Sequence, residues 1–177
     1  MTTVIETERL ALRRATLADA PFTLDLWNQP SYIAHIRDWG VRTVAQAEAL
    51  LQERILASYQ LHGFGQFVVT LKPGGVPIGL CGLIRRPAWD EVDVGYAFLP
   101  QYWGSGYALE AAQACVQYGL TTLGLRRVVA IVSPNNERSI HLLEKLGLRF
   151  EKLITLPGIE EELKLFTPPG APPAASN

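Results

Sequence analysis

The chain is poor in several things, and each shortage excludes a class of protein. Two of its 177 residues are cysteine, Cys81 and Cys115, far apart and in no CxxC pair. That spacing argues against a structural zinc site. Two isolated thiols suit a reducing compartment, so a cytoplasmic location is expected. Neither sign of charge dominates: sixteen Lys+Arg stand against seventeen Asp+Glu, a net charge of −1. A nucleic-acid footprint or a polybasic membrane patch needs a basic excess, so neither partner is expected. Long apolar runs are missing too. The longest, Val128–Val132, falls far short of the ~20 residues of a membrane span. The opening Met1-Thr-Thr-Val-Ile-Glu has no basic segment followed by an apolar one, so no secretory signal is expected. The three histidines, His35, His62 and His141, form no HExxH and no triad spacing, so no metal is expected.

What is present reads as one ordinary globular domain over residues 1–167, at 48% hydrophobic and 19% charged. Residues 168–177 hold four of the twelve prolines among glycine and alanine and read as a disordered tail. Arg9–Arg14 alternates as a first strand. Thr16-x-x-Asp19 opens a helix that Pro30 ends, residues 30–42 read as an irregular loop, and Thr43-x-x-Gln46 opens a second helix closed by Gly63. Strand-like runs follow at Gly65–Leu71, Pro77–Ile84 and Glu91–Leu99. A long helix is predicted from Ser105 to Leu123, a covered strand at Val128–Val132, a helix at Asn136–Leu146, and closing strands at Leu148–Leu156 and Glu160–Phe166. The order predicts a mixed sheet with helices on its faces, an α/β or α+β fold.

The informative segment is Leu99-Pro-Gln-Tyr-Trp-Gly-Ser-Gly-Tyr-Ala-Leu-Glu, with Gly104 and Gly106 between a strong strand and a strong helix. Glycines there let the backbone turn tightly, and the first helical N–H groups make an anion site suited to pyrophosphate. The plainer alternative is a β–α connection and no more. The spacing narrows the choice. A dinucleotide fingerprint fails at Leu109, where a third glycine belongs. A P-loop fails because the chain has no Gly-Lys pair, and GxSxG fails because Trp103 and Tyr107 flank the glycine–serine–glycine.

Gln101-x-x-Gly104-x-Gly106-x-Ala108 resembles the acetyl-CoA motif of the GNAT superfamily of N-acetyltransferases. The likeness runs over roughly residues 6–156. Thr7-Glu-Arg-Leu-Ala-Leu-Arg with Asp19-Ala20, Asp93-Val-Gly-Tyr, Asn136-Glu-Arg-Ser139 and Leu143-Glu-Lys-Leu-Gly147 are similar to the ribosomal-protein serine/alanine N-terminal acetyltransferase (RimJ/RimL-type) branch. The resemblance implies a mostly antiparallel sheet of about seven strands with about four helices, splayed between the fourth and fifth strands. It implies acetyl-CoA as co-substrate, a primary amine as acceptor, and direct attack in a ternary complex.

By that resemblance the pyrophosphate lies on the turn formed by Gln101, Tyr102, Trp103, Gly104, Ser105, Gly106, Tyr107 and Ala108, although Tyr107 also reads as packing. A bulge in the preceding strand exposes backbone near Phe98 and Leu99 for the thioester carbonyl and pantetheine. Asp93 and Glu91 are the candidate bases, or else solvated strand-end carboxylates. Asn136 either contacts the pantetheine or is a plain N-cap, and Ser139 lies near the sulfur. Leu143 stands where many members carry a tyrosine acid, which leaves Ser139 or water for the thiolate. His35, Asp38 and Trp39 are expected to line the acceptor groove, with Tyr32 and Trp89 as further candidates, while Trp27 and Cys115 read as core. An α-amine acceptor asks little of a base: with a pKa near 7.8, about one in seven is neutral at pH 7, against about one in 2,500 for lysine. Two other functions compete: a small-molecule amine acetyltransferase, and a non-catalytic acyl-CoA sensor. Monomer and homodimer both remain open.

Overall fold

The computed structural model describes residues 1–170. The chain runs β1 (Thr3–Glu6), β2 (Leu10–Arg14), α1 (Ala20–Trp27), α2 (Pro30–His35), α3 (Val44–Leu51), a π-helical turn (Gln52–Leu56) and α4 (Ala57–His62). It continues through β3 (Gln66–Leu71), β4 (Pro77–Arg85), β5 (Val92–Phe98), α5 (Tyr107–Thr121), β6 (Ala130–Val132), α6 (Glu137–Lys145), β7 (Arg149–Ile154) and β8 (Leu163–Thr167). Of the predicted tail, residues 171–177 lie outside the described part.

Local chemistry explains most boundaries. At α3, Gln46 N–H donates to Thr43 Oγ1 (3.2 Å) and Thr43 N–H donates to Gln46 Oε1 (3.1 Å), the reciprocal box the sequence predicts. Gly63 closes α4 with φ 79°, where a side chain would be strained. The predicted loop over 30–42 is partly wrong, because Pro30 starts α2 instead of only ending α1. Proline lacks an N–H, and at the first helical position no N–H partner is needed. Since α3, the π turn and α4 are continuous, the described residues hold five helices where about four were expected. Strand β1 is a further addition, and it makes eight strands.

Strands β1 to β5 form one antiparallel sheet in chain order, and β6, β8 and β7 form another. One parallel bridge, Asp93 to Val129, joins them, with Val94 N–H on Val129 O (2.9 Å) and Val129 N–H on Val92 O (3.0 Å). No further β5–β6 pairing follows among the described residues, so the two strands part beyond Val94. The opening falls between the fifth and sixth strands here because β1 adds one to the count. The bulge expected in β5 is not found: its register with β4 is unbroken from Val92 to Phe98. The gap therefore opens with no break in the β4–β5 register.

Helix α5 lies across β4 and β5 on small residues, Ala111, Ala112, Cys115 and Gly119, all buried. A Cβ on Gly119 would come within 2.9 Å of Leu83 Cδ1 and 3.2 Å of Val128 Cγ2, so a side chain there would force these neighbours to shift. Trp27 and Cys115 are core, as expected. Among the described residues no helix is long and apolar enough to cross a membrane.

Candidate active site

Strand β5 organises the site because its residues alternate in two directions. Leu99 N–H donates to Ile78 O (2.9 Å), towards β4, while Val94 N–H points towards β6. Even-numbered residues therefore turn their backbone groups to the β6 side. Past the bridge this aims the N–H groups of Tyr96 and Phe98 into the opening. Of the two residues expected near the thioester, Phe98 turns its N–H to the opening and Leu99 bonds Ile78 O on β4, while Tyr96 N–H also faces the opening.

Side chains alternate as well. Tyr96 sits opposite Cys81, and Leu83 opposite Val94, on the face covered by α5. Asp93 therefore faces the other way. The strand presents a hydroxyl to one side of the opening and a carboxylate to the other.

On the α5–α6 side the turn is built as the glycines foretold. A 3-10 turn at Pro100–Tyr102 leads to Gly104 and Gly106, both at φ 79°, and α5 begins at Tyr107, two residues later than predicted. Positive φ at both positions is why side chains are absent there. The first N–H groups of α5 have no partner inside the helix. They face a cleft of about 210 Å³ lined by Phe98, Tyr102, Trp103, Gly104, Gly106, Tyr107 and Ala108, with Arg138, His141 and Lys145 across it on α6. No carboxylate lines this cleft. Arg138 lies 4.3 Å over the Trp103 ring, and Trp103 Nε1–H donates to Phe98 O (2.9 Å). Gln101 and Ser105 are exposed beside the cleft and not among its walls.

Arg9 holds the turn from outside. Its Nη1 donates to Ser105 O (2.8 Å), its Nε to Glu110 Oε2 (2.7 Å), and its guanidinium lies 4.5 Å from the Tyr107 ring centre. Tyr107 thus packs under Arg9 while also forming part of the cleft wall. Glu110 also accepts from Thr7 Oγ1 (2.6 Å) and Arg9 N–H (3.0 Å). Burial works against its charge, but these bonds hold the carboxyl below its ordinary value.

Ser139 Oγ is 2.6 Å from Tyr96 OH, which ties α6 to β5. Burial pushes the Tyr96 phenol up to about 12, so it stays protonated at neutral pH. Asn136 Oδ1 accepts from Ser139 N–H (3.3 Å), the N-cap arrangement. Its carbonyl oxygen is therefore engaged in the cap.

The two candidate bases differ from the expectation that either is a free carboxylate. Asp93 is 1% exposed and takes two bonds from Arg86, Nε to Oδ1 (2.9 Å) and Nη2 to Oδ2 (3.1 Å). Burial outweighs that partner and raises its pKa. Glu91 is also buried, and both its oxygens accept from Arg127. Each candidate is thus held by an arginine instead of standing free in solvent.

The expected acceptor-side residues are only partly gathered. Trp39 Nε1–H donates to Tyr32 OH (3.1 Å), and the indole lies between Arg37 (4.8 Å) and Arg54 (4.9 Å). Asp38 turns outward, paired with Arg42 (2.8 Å) and bonded by Gly40 N–H. His35 is exposed at the end of α2. Arg37 Nη2 donates to Gly158 O (2.7 Å), which ties the β7–β8 loop to the segment that follows α2.

Comparison with known proteins agrees with this geometry. Residues 9–149 match the family model described as an acetyltransferase (GNAT) domain. The chain is 33% identical over 150 residues to the uncharacterized N-acetyltransferase p20 of Bacillus licheniformis, covering 84% of this chain and 83% of that protein. It is 42% identical over 105 residues to spermidine N(1)-acetyltransferase of Escherichia coli (strain K12), covering 59% of this chain and 56% of that one. Its fold is similar to RimL, a ribosomal L7/L12 alpha-N-protein acetyltransferase solved with coenzyme A, at a TM-score of 0.77 and 17% identity over 94% of this chain and 97% of RimL. The chain belongs to the GNAT acetyltransferase family. It is an N-acetyltransferase.

The residues present fit acetyl-CoA, the co-substrate of that family. A carboxylate-free cleft with helix-start N–H groups on one wall and Arg138 and Lys145 on the other suits a polyanion.

Proposed function

We propose that this enzyme moves an acetyl group from acetyl-CoA to the α-amine of a peptide or protein, by direct attack with both substrates bound. The observation that carries this reading is the division of labour on β5. Asp93 lies on one face and the Tyr96–Ser139 pair on the other, with the backbone N–H groups of Tyr96 and Phe98 turned into the gap between them.

Bound in the cleft, acetyl-CoA supplies a thioester; the chain's residues do the rest. Phe98 N–H, or Tyr96 N–H, donates to the thioester oxygen and steadies the charge that develops there. The acceptor nitrogen forms its bond to the acetyl carbon as the carbon–sulfur bond breaks. The nitrogen's proton passes through water towards Asp93, whose raised pKa makes it a better acceptor than an ordinary aspartate. The leaving sulfur takes a proton from Ser139 Oγ, Tyr96 OH replaces it through their 2.6 Å contact, and a solvent water in the opening returns a proton to the phenol oxygen. An amine that is already partly neutral needs no stronger base than this. A cytoplasmic site of action fits two buried, unpaired thiols.

A second reading, a polyamine or other small amine as acceptor, is supported by the likeness to the E. coli spermidine enzyme. Free-thiol release from acetyl-CoA separates the two. The acceptors are peptides beginning with Ser, Ala or Met, free amino acids, polyamines and aminoglycosides, with product masses checked. Release with peptides, and one added acetyl at their N-terminus, is expected. Release with polyamines alone would replace this reading by the second. No release with any amine, while acetyl-CoA still binds, would refute both.

A further inference from the structure

A second cavity, of about 240 Å³, opens on the face of the sheets away from α5 and α6. Trp89, Leu156 and Leu165 wall it, the Glu91–Arg127 pair forms its floor, and Glu151 and Lys152 stand at its rim. Its position follows from strand geometry. Opposed residues of a strand pair share a face, so Asp93 and Val129 point to the same side at the bridge. One alternation back along each strand are Glu91 and Arg127. The cavity floor is therefore the next step along the face that carries the Asp93 carboxylate, roughly 7 Å away.

Two properties say what the cavity takes. Its charges cancel, two carboxylates against two cations, and the deeper pair is bonded internally. Such a lining has no net attraction for a polycation, while an indole and two leucines offer contact to an apolar group. The hairpin tip that carries the wall also has an unusual backbone. Ala88, beside Trp89, has φ 57°, the one positive φ among the described non-glycine residues. A strained residue persists only where its surroundings enforce it.

We propose that this cavity receives the apolar side chain of the acceptor's own first residue, so that the enzyme selects α-amines flanked by an aliphatic or aromatic group and rejects polyamines. This rests on the acetyltransferase reading above, because the amine must lie beside Asp93 for its side chain to reach the cavity.

The test compares phenylalaninamide, glycinamide and spermidine as acceptors, by thiol release at saturating acetyl-CoA. The parent enzyme should have its lowest KM for phenylalaninamide. Trp89→Ala should raise that KM about fivefold or more, and leave the KM values of glycinamide and acetyl-CoA unchanged. Lys152→Glu, an exposed change that leaves three carboxylates against one cation, should lower the KM for spermidine. A parent that prefers spermidine would overturn the proposal. So would a Trp89→Ala effect of equal size on glycinamide, or no response of spermidine to Lys152→Glu. Thiol release from none of the three, with acetyl-CoA bound, would refute the transferase reading itself and this role with it.

Discussion

Removing the Arg9 guanidinium should weaken acetyl-CoA binding without unfolding the protein. Arg9 makes three contacts that a shorter side chain loses: the bond to Ser105 O (2.8 Å), the ion pair with Glu110 (2.7 Å) and the stack on Tyr107 (4.5 Å). With its side chain 42% exposed, the ion pair contributes at most about 1 kcal/mol after solvent screening. The stack adds about 0.5 kcal/mol at such a site, and the bond to Ser105 about 1 kcal/mol. These are not additive, and about 1–2 kcal/mol of local order is a fair sum. Glu110 keeps Thr7 Oγ1 and the Arg9 N–H, so no carboxylate is orphaned. If the turn must be ordered anew on binding, that loss appears as a 5- to 30-fold rise in Kd. Titration calorimetry with acetyl-CoA on the parent, Arg9→Ala and Arg9→Lys measures it. Lysine should recover part of the affinity, because a point charge can still pair with Glu110 but cannot hold Ser105 and stack at once. An unchanged Kd for Arg9→Ala, or a melting temperature that collapses along with binding, would refute the view that this arginine sets the turn.

Gly106→Val should abolish acetyl-CoA binding with little loss of helix signal, because β-branched side chains resist φ 79° and its Cβ would meet Arg9 Nη2 at 3.4 Å; circular dichroism and calorimetry check both halves. Tyr96→Phe should lower kcat by about tenfold with KM for acetyl-CoA nearly unchanged, if the phenol feeds protons to Ser139; equal kcat would remove it from the relay. Burial also lifts the Tyr96 and Tyr59 phenols to about 12. Their unfolded value is about 10, so above pH 10 the unfolded chain sheds protons that the folded one keeps. Melting temperature should therefore hold up to about pH 10 and fall steeply between pH 10 and 12, and Tyr96→Phe should flatten that fall. Glu91→Gln should cost about 2–3 kcal/mol in urea unfolding, because it removes the charged partner that Arg127 Nε and Nη2 bond, while any folded enzyme keeps its pH–rate profile; a displaced acid limb would make Glu91 a base.

The parts of the site that were legible in the sequence are those built by neighbours. Gly104 and Gly106 announced a turn because no other residue tolerates that backbone, and Thr43 with Gln46 announced a helix start three residues long. Distant partners were not legible. Nothing local in Asp93 says that Arg86 folds back across the hairpin to close on it, or that Glu91 will meet Arg127 thirty-six positions on. Tyr96 stood in view within Asp93-Val-Gly-Tyr, yet its partner Ser139 is 43 positions away. Thr7-Glu-Arg-Leu was equally visible as a motif. Its task, holding Glu110 and Ser105, appears only when β2 lies beside the start of α5. Pro30 misled for a different reason: one residue both stops a helix and starts one, and the sequence does not say which side of it is helical.

The alternation of β5 also limits how this enzyme can change. Deleting one residue between Asp93 and Tyr96 would send either the carboxylate or the phenol to the wrong side of the sheet, and would turn the backbone N–H groups from the opening towards β4. Length variation in this strand is thus permitted only in steps that restore parity, and even those move the glycine turn. New specificities must come from segments free of that constraint, the hairpin tip around Ala88 and Trp89 and the β7–β8 connection. An engineer who wishes to give this scaffold another acceptor should leave the strand untouched and rebuild those two loops.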